Sequence, residues 1–170
     1  MPNPEQAARL MTGPSPRVRR LAADYDSVRR HFSGHSSIEV EPLGPSPPEA
    51  YRVTFQLPGL QRDGAVPVVV DRHVVTIRLP LRYPAEPAVV IADSPIFHPN
   101  VLGHYCVADY WSADLPLVDV ICKVADMIQY RVYSVESPLD PVAAHYARQH
   151  PELFPLGDID LAVPDVHVSV

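Results

Sequence analysis

Cys106 and Cys122 are the only two thiols in this 170-residue sequence, and their surroundings differ. A thiolate is the strongest simple nucleophile among side chains, and its reactivity follows exposure and local charge. Cys106 lies in a polar, irregular stretch flanked by His104 and Tyr105. Cys122 sits inside a helical pattern at the edge of its apolar arc and reads as a small buried hydrophobe. Three kinds of chemistry could use Cys106. A protease would pair it with a distant histidine; His98, His104, His145 and His150 are available, and no local signature selects one. A zinc site could combine His98, His104, Cys106 and Asp109, without the paired Cys-x-x-Cys or His-x-x-x-His clips usual in such sites. An acyl carrier would take an acyl group on the thiol as a thioester and surrender it to an amine. That reaction needs an accessible thiol, a donor for the developing oxyanion and partial desolvation of the amine, but no strong built-in base. The residue types alone leave all three open.

The elements that must position this loop are legible from pattern. Ser15 is an N-cap with Pro16 at the first helical position. Val18, Leu21, Tyr25, Val28 and Phe32 then recur at helical spacing up to a stop at Gly34. Arg17, Arg19, Arg20, Arg29 and Arg30 occupy other positions of this helix and predict a basic outer side. Ile38–Leu43, Tyr51–Leu57, His73–Leu79 and Val89–Ile91 read as strands, with turn clusters at 44–48 and 59–64. They predict an antiparallel meander with one apolar face to be covered. Residues 93–114 are irregular but carry Phe97, His98, Asn100, Cys106, Tyr110 and the sole tryptophan, Trp111, the mark of a packed functional loop. Asp114 would cap a helix bearing Leu117, Ile121, Val124 and Ile128; Asp140-Pro141 opens another that ends at His150-Pro151. Valines at 166, 168 and 170 alternate, as in an edge strand or a docking tail.

Composition narrows the classes. The length suits one domain with a real core. No apolar run approaches membrane-spanning length and the N-terminus has no signal-peptide pattern, so a cytoplasmic location with no membrane contact is expected. A net charge of −6 argues against nucleic-acid binding. Lys123 is the only lysine against 13 arginines. That bias fits a GC-rich bacterial genome, and it also suits a protein that carries an amine-reactive thioester.

Residues 73–120 resemble the ubiquitin-conjugating enzyme family in order and type. The strand Val75–Leu79 with Pro80 leads to Tyr83-Pro84-Ala85-Glu86-Pro87. Phe97-His98-Pro99-Asn100-Val101 is similar to the family's His-Pro-Asn signature. Cys106, Trp111-Ser112 and Leu115 follow, and then Ser137-Pro138-Leu139 with Ala143-Ala144-x-Tyr146. Single tripeptides are weak signals; their correct order over residues 16–150 is a strong one.

The resemblance implies an α+β fold: a four-stranded antiparallel meander with an N-terminal helix and C-terminal helices packed on it. It implies a catalytic domain over 15–155, between a lead-in at 1–14 and a tail at 156–170. By position, Cys106 would be the thioester cysteine and Asn100 the amide that stabilises the oxyanion. His98 and Pro99 would shape the loop, Trp111 would anchor it, Tyr83-Pro84 would be cis, and Ser137 would sit near the incoming amine. Arg17, Arg19 and Arg20 would dock the activating enzyme. The implied partners are a ubiquitin-like protein, an activating enzyme and a target amine, with no cofactor and no metal. The sequence departs from the family in its short intervals, six residues from Asn100 to Cys106 and five from Cys106 to Trp111, and in Ser137 where an acid is common. Such departures suggest a divergent bacterial member, and bacterial relatives include antiphage conjugation pathways. A non-catalytic binding module on the same fold is the alternative, although such a module has no chemical reason to keep both Asn100 and Cys106.

Overall fold

The computed structural model describes residues 13–163. Helix α1 spans Pro16–Phe32; the Ser15 hydroxyl accepts from the Val18 N–H at 3.2 Å, as a cap should, and Leu21, Val28 and Phe32 are buried. Five strands follow in one antiparallel sheet whose spatial order is the chain order: β1 (Ile38–Leu43), β2 (Ala50–Asp63), β3 (Val66–Arg78), β4 (Val89–Ala92) and β5 (His104–Tyr105). The expected meander is present, extended by β5, which pairs with β4 through Val90–Tyr105 and Ile91–His104. A two-residue strand is too short to show alternation, so it was hidden in the stretch read as irregular.

One turn reading is corrected. Residues 59–63 belong to β2, and only Gly64-Ala65 turns the hairpin. Gly59 marks a register shift after Gln56 and a close approach: a Cβ there would lie 2.5 Å from His73 Nε2 and 3.0 Å from Ile128 Cγ2. The glycine is needed for space against a buried ring, not for a turn.

Helix α2 (Leu117–Ile128) covers the sheet, burying Leu117, Val120, Ile121, Val124 and Ile128 with Leu21, Phe55 and Ile77 in the main core. Each such side chain contributes about 1.5–3 kcal/mol of transfer free energy. Asp114 does not cap α2, because the helix begins three residues later, behind Pro116. The Leu117 N–H is taken by Asp24 of α1 at 3.2 Å, while Asp114 accepts from Ser112. Helix α3 (Pro141–Gln149) is capped as expected, Asp140 accepting from Val142 N at 3.0 Å and Ala143 N at 3.1 Å. It packs on a second cluster of Leu60, Phe97 and Tyr130, with Phe154 partly buried against it.

Residues 156–163 run along the end of α2. The Gln129 side chain accepts from Ile159 N at 3.0 Å and donates to Ile159 O at 2.8 Å, and Leu161 is buried. Residues 1–12 of the lead-in and the valines at 166, 168 and 170 lie outside the described residues. Among the described residues no helix is long and apolar enough to cross a membrane.

Candidate active-site cleft

His98 is fully buried, and burial pushes its pKa down to about 3, so the ring is neutral near pH 7. Its Nδ1 accepts the Asn100 N–H at 3.0 Å, which puts the proton on Nε2. Nε2 faces the Met127 and Val132 carbonyls without closing a hydrogen bond of ordinary geometry. His98 therefore shapes the loop. The Pro99 carbonyl accepts from Leu139 N at 2.8 Å and Asp140 N at 3.0 Å.

Asn100 joins the two sides of a cleft. Its carbonyl accepts from Cys106 N at 3.0 Å. Its side chain bonds Ser134 twice, accepting from the N–H at 2.8 Å and donating to the carbonyl at 3.0 Å. One of the two Nδ2 hydrogens is used by that contact, and the other is available to a ligand. Cys106 is half-buried, with Sγ at the outer contact limit of 4.0 Å from Asp109 Oδ2. Asn100, Cys106, Asp109, Tyr110, Glu136 and Ser137 are among the residues that line a cleft of about 90 Å³. Ser137 is exposed with φ of +50°, a left-handed conformation that serine seldom adopts and that tends to occur at functional turns.

The short loop after Cys106 is a 3₁₀ turn at Ala108–Tyr110 followed by Trp111, whose Nε1 donates to Pro84 O at 3.0 Å. The Trp111 ring lies 5.6 Å from that of Tyr83, and the Tyr83-Pro84 bond is cis as expected. Trp111 thus ties the loop to the turn that follows β3.

The arginines divide. Arg19 and the later pair Arg29 and Arg30 are exposed, but Arg17 and Arg20 turn inward, correcting the expectation of a uniformly basic outer side. Arg17 bonds Glu49 at 2.6 Å and Pro80 O at 3.0 Å. Arg20 pairs with the buried Asp24 at 2.7 Å and donates to the carbonyls of Ala113 and Leu115, both at 2.5 Å, and to Tyr83 Oη at 3.1 Å. Asp24 also accepts from Tyr83 Oη at 2.5 Å. Strand ends and loop carbonyls need donors, and these two arginines supply them.

Among the described residues no histidine lines the cleft, and no three His, Cys, Asp or Glu side chains converge as a metal set. The family model for ubiquitin-conjugating enzyme matches residues 71–156, half of the chain, from β3 through the cleft to the turn after α3. The chain belongs to the ubiquitin-conjugating enzyme family. It is 30% identical over 89 residues to ubiquitin-conjugating enzyme E2 K from Bos taurus, Homo sapiens and Mus musculus. The match covers 49% of this chain and 44% of each of those proteins, so the chain aligns with less than half their length. The α+β fold with its N-terminal helix, antiparallel sheet and C-terminal helices is that of a ubiquitin-conjugating domain.

Sequence reasoning did not single out Ser134, which clamps Asn100, or Asp24. The Ser134 contact spans 34 residues and leaves no local trace. Asp24 did leave one. It falls three residues after Leu21 and four before Val28, an acid on the apolar stripe of α1, where only a partnered charge can stay.

Proposed function

We propose that this domain is an active conjugating enzyme in which Cys106 carries a ubiquitin-like protein as a thioester and passes it to a target amine. The observation that carries this reading is the junction at Asn100, which holds Cys106 through its backbone and the facing wall through its side chain. The Cys106 thiolate attacks the activating enzyme's thioester and displaces that enzyme's thiolate. An amine then adds to the carbonyl carbon, and the free Nδ2 hydrogen of Asn100 stabilises the oxyanion. The added nitrogen gives up one proton to water, and collapse breaks the C–S bond, releases the Cys106 thiolate and leaves an amide. Ser137 and Glu136 border the path of the incoming amine, and both line the cleft. Arg19 is the docking residue of α1, since Arg17 and Arg20 are committed to internal contacts. The arginine-rich, lysine-poor composition supports a bacterial source and, by analogy alone, a cytoplasmic defence pathway with its own activating enzyme.

The test is incubation with a cognate activating enzyme, its ubiquitin-like protein and ATP, read on a non-reducing gel. A thiol-sensitive adduct is expected, becoming a reductant-stable oxyester in Cys106→Ser. A reducible adduct that persists in Cys106→Ser moves the nucleophile elsewhere. Absence of any adduct with a demonstrably active activating enzyme supports the binding-module alternative.

A further inference from the structure

Tyr51 of β2 is fully buried, yet its hydroxyl has no hydrogen-bond partner among the described residues. Such orphans are rare, because burial strips off water that only a new hydrogen bond replaces. Burial first, and then the Asp24 carboxylate, push the hydroxyl's pKa up, so near neutral pH it keeps its proton and is a donor. Tyr51 also helps to wall a cavity of about 260 Å³ between α1 and the first strands of the sheet. Val28 and Phe32 of α1 and Ile38 and Val40 of β1 make its lining apolar. Arg29 lines it too, with its guanidinium 5.7 Å from the Tyr25 ring centroid. Unlike Arg17, Arg20 and Arg30, Arg29 pairs with no acid among the described residues. Glu39 borders the cavity, but strand alternation turns its side chain to the face opposite Ile38 and Val40. The cavity therefore joins an apolar lining to two donors, one buried and neutral, the other exposed and cationic. It shares no residue with the Cys106 cleft.

We infer that this cavity binds a small organic monocarboxylate with an apolar body, an aryl or branched-chain acid. A dry cavity of about 150 Å³ already admits benzene, so there is room here for a ring and a carboxylate. The carboxylate accepts from the Tyr51 hydroxyl and from Arg29, while the apolar body packs against Val28, Phe32 and Ile38. The half-buried Tyr25 ring, 6.4 Å from that of Tyr51, turns aside to uncover the hydroxyl. A neutral carbonyl would leave the guanidinium without a counter-ion, and a phosphate would shed more water for the same single cation. An occupant so held bridges α1 to β1 and β2. The site is independent of the reading of Cys106 as an acyl carrier.

The test is a titration of the full chain with phenylacetate, followed by amide NMR shifts and calorimetry. Saturable binding is expected, with the shifts gathered at residues 25–33 and 38–42. Phenylacetamide, the neutral isostere, should bind about tenfold more weakly. Arg29→Gln should weaken phenylacetate about tenfold and abolish its advantage over the amide. Tyr51→Phe should also weaken it about tenfold, yet unfold in urea no earlier than the parent, since it loses only an unpaired hydroxyl. No saturable binding at millimolar phenylacetate overturns the inference. So does binding that ignores both substitutions, which puts the probe elsewhere, and so does equal affinity for acid and amide. A Tyr51→Phe variant clearly less stable than the parent shows that the hydroxyl already has a partner, and overturns it as well.

Discussion

Replacing Asp24 with alanine removes a carboxylate that serves three elements at once. It accepts from Arg20 Nε on its own helix, from Tyr83 Oη in the turn after β3, and from the Leu117 N–H at the start of α2. Its side chain is only 6% exposed, so water does not take over these roles. Losing a helix cap contributes about 1 kcal/mol. Breaking a buried pair by removing one partner costs about 3–5 kcal/mol, chiefly through the charge left behind. Here Arg20 is 20% exposed and keeps the Ala113 and Leu115 carbonyls, so the low end applies. The expected sum for Asp24→Ala is about 4 kcal/mol. For Asp24→Asn, which retains an acceptor for Leu117, about 2 kcal/mol is expected. The assay is urea unfolding with the slope unchanged, where 4 kcal/mol moves the midpoint by about 1.3–4 M. Tyr83→Phe supplies the double-mutant partner and should couple to Asp24→Asn by about 1 kcal/mol. Because the same contacts hold residues 113–117, the stem behind the Cys106 loop, charging of Cys106 should slow in parallel. A loss under 1 kcal/mol for Asp24→Ala would refute the reasoning, showing that the hub exchanges its bonds freely with water.

Asn100→Ala removes two hydrogen bonds to Ser134 and should cost about 2 kcal/mol by thermal unfolding. If Asn100 stabilises the oxyanion, discharge of the thioester to free lysine should fall by about a hundredfold while charging falls less; equal slowing of the two steps would reduce Asn100 to a structural clamp. His98 has a folded pKa of about 3, depressed by burial below its ordinary value. The unfolded chain therefore takes up a proton as pH falls through about 6.5 and the folded chain does not, so stability is lost with falling pH at roughly 1.4 kcal/mol per unit until about pH 3. The difference in slope between the parent and His98→Gln, followed by chemical unfolding from pH 7 to 4, isolates this contribution; parallel curves would contradict it. The Cys122 thiol is pushed up to about 12, first by burial and then by Asp119, Asp126 and Asp160, so iodoacetamide at pH 8 should alkylate Cys106 and spare Cys122 in the folded chain. Modification of both at similar rates would refute that protection.

Periodicity and cap chemistry are local properties, so the sequence by itself determined α1 from Ser15 to Phe32, the α3 cap at Asp140, the strand cores and the apolar face of α2. The order of motifs around Cys106 likewise predicted the family, because each motif is a short run with its own backbone demand. Only the tertiary structure decided which polar groups meet. Asp24 caps α2 across 93 residues, displacing the nearer Asp114, and Asn100 finds Ser134 across 34. Gly59, read as a turn, turned out to be the space left for the His73 ring. Arg17 and Arg20 share a helix and a residue type with Arg19, yet they turned inward because unpaired carbonyls lay within their reach. Long-range polar pairing depends on geometry that no window of sequence contains. That is why Cys106 stood out from its loop as the candidate nucleophile, while the residues that share its cleft emerged only from the fold.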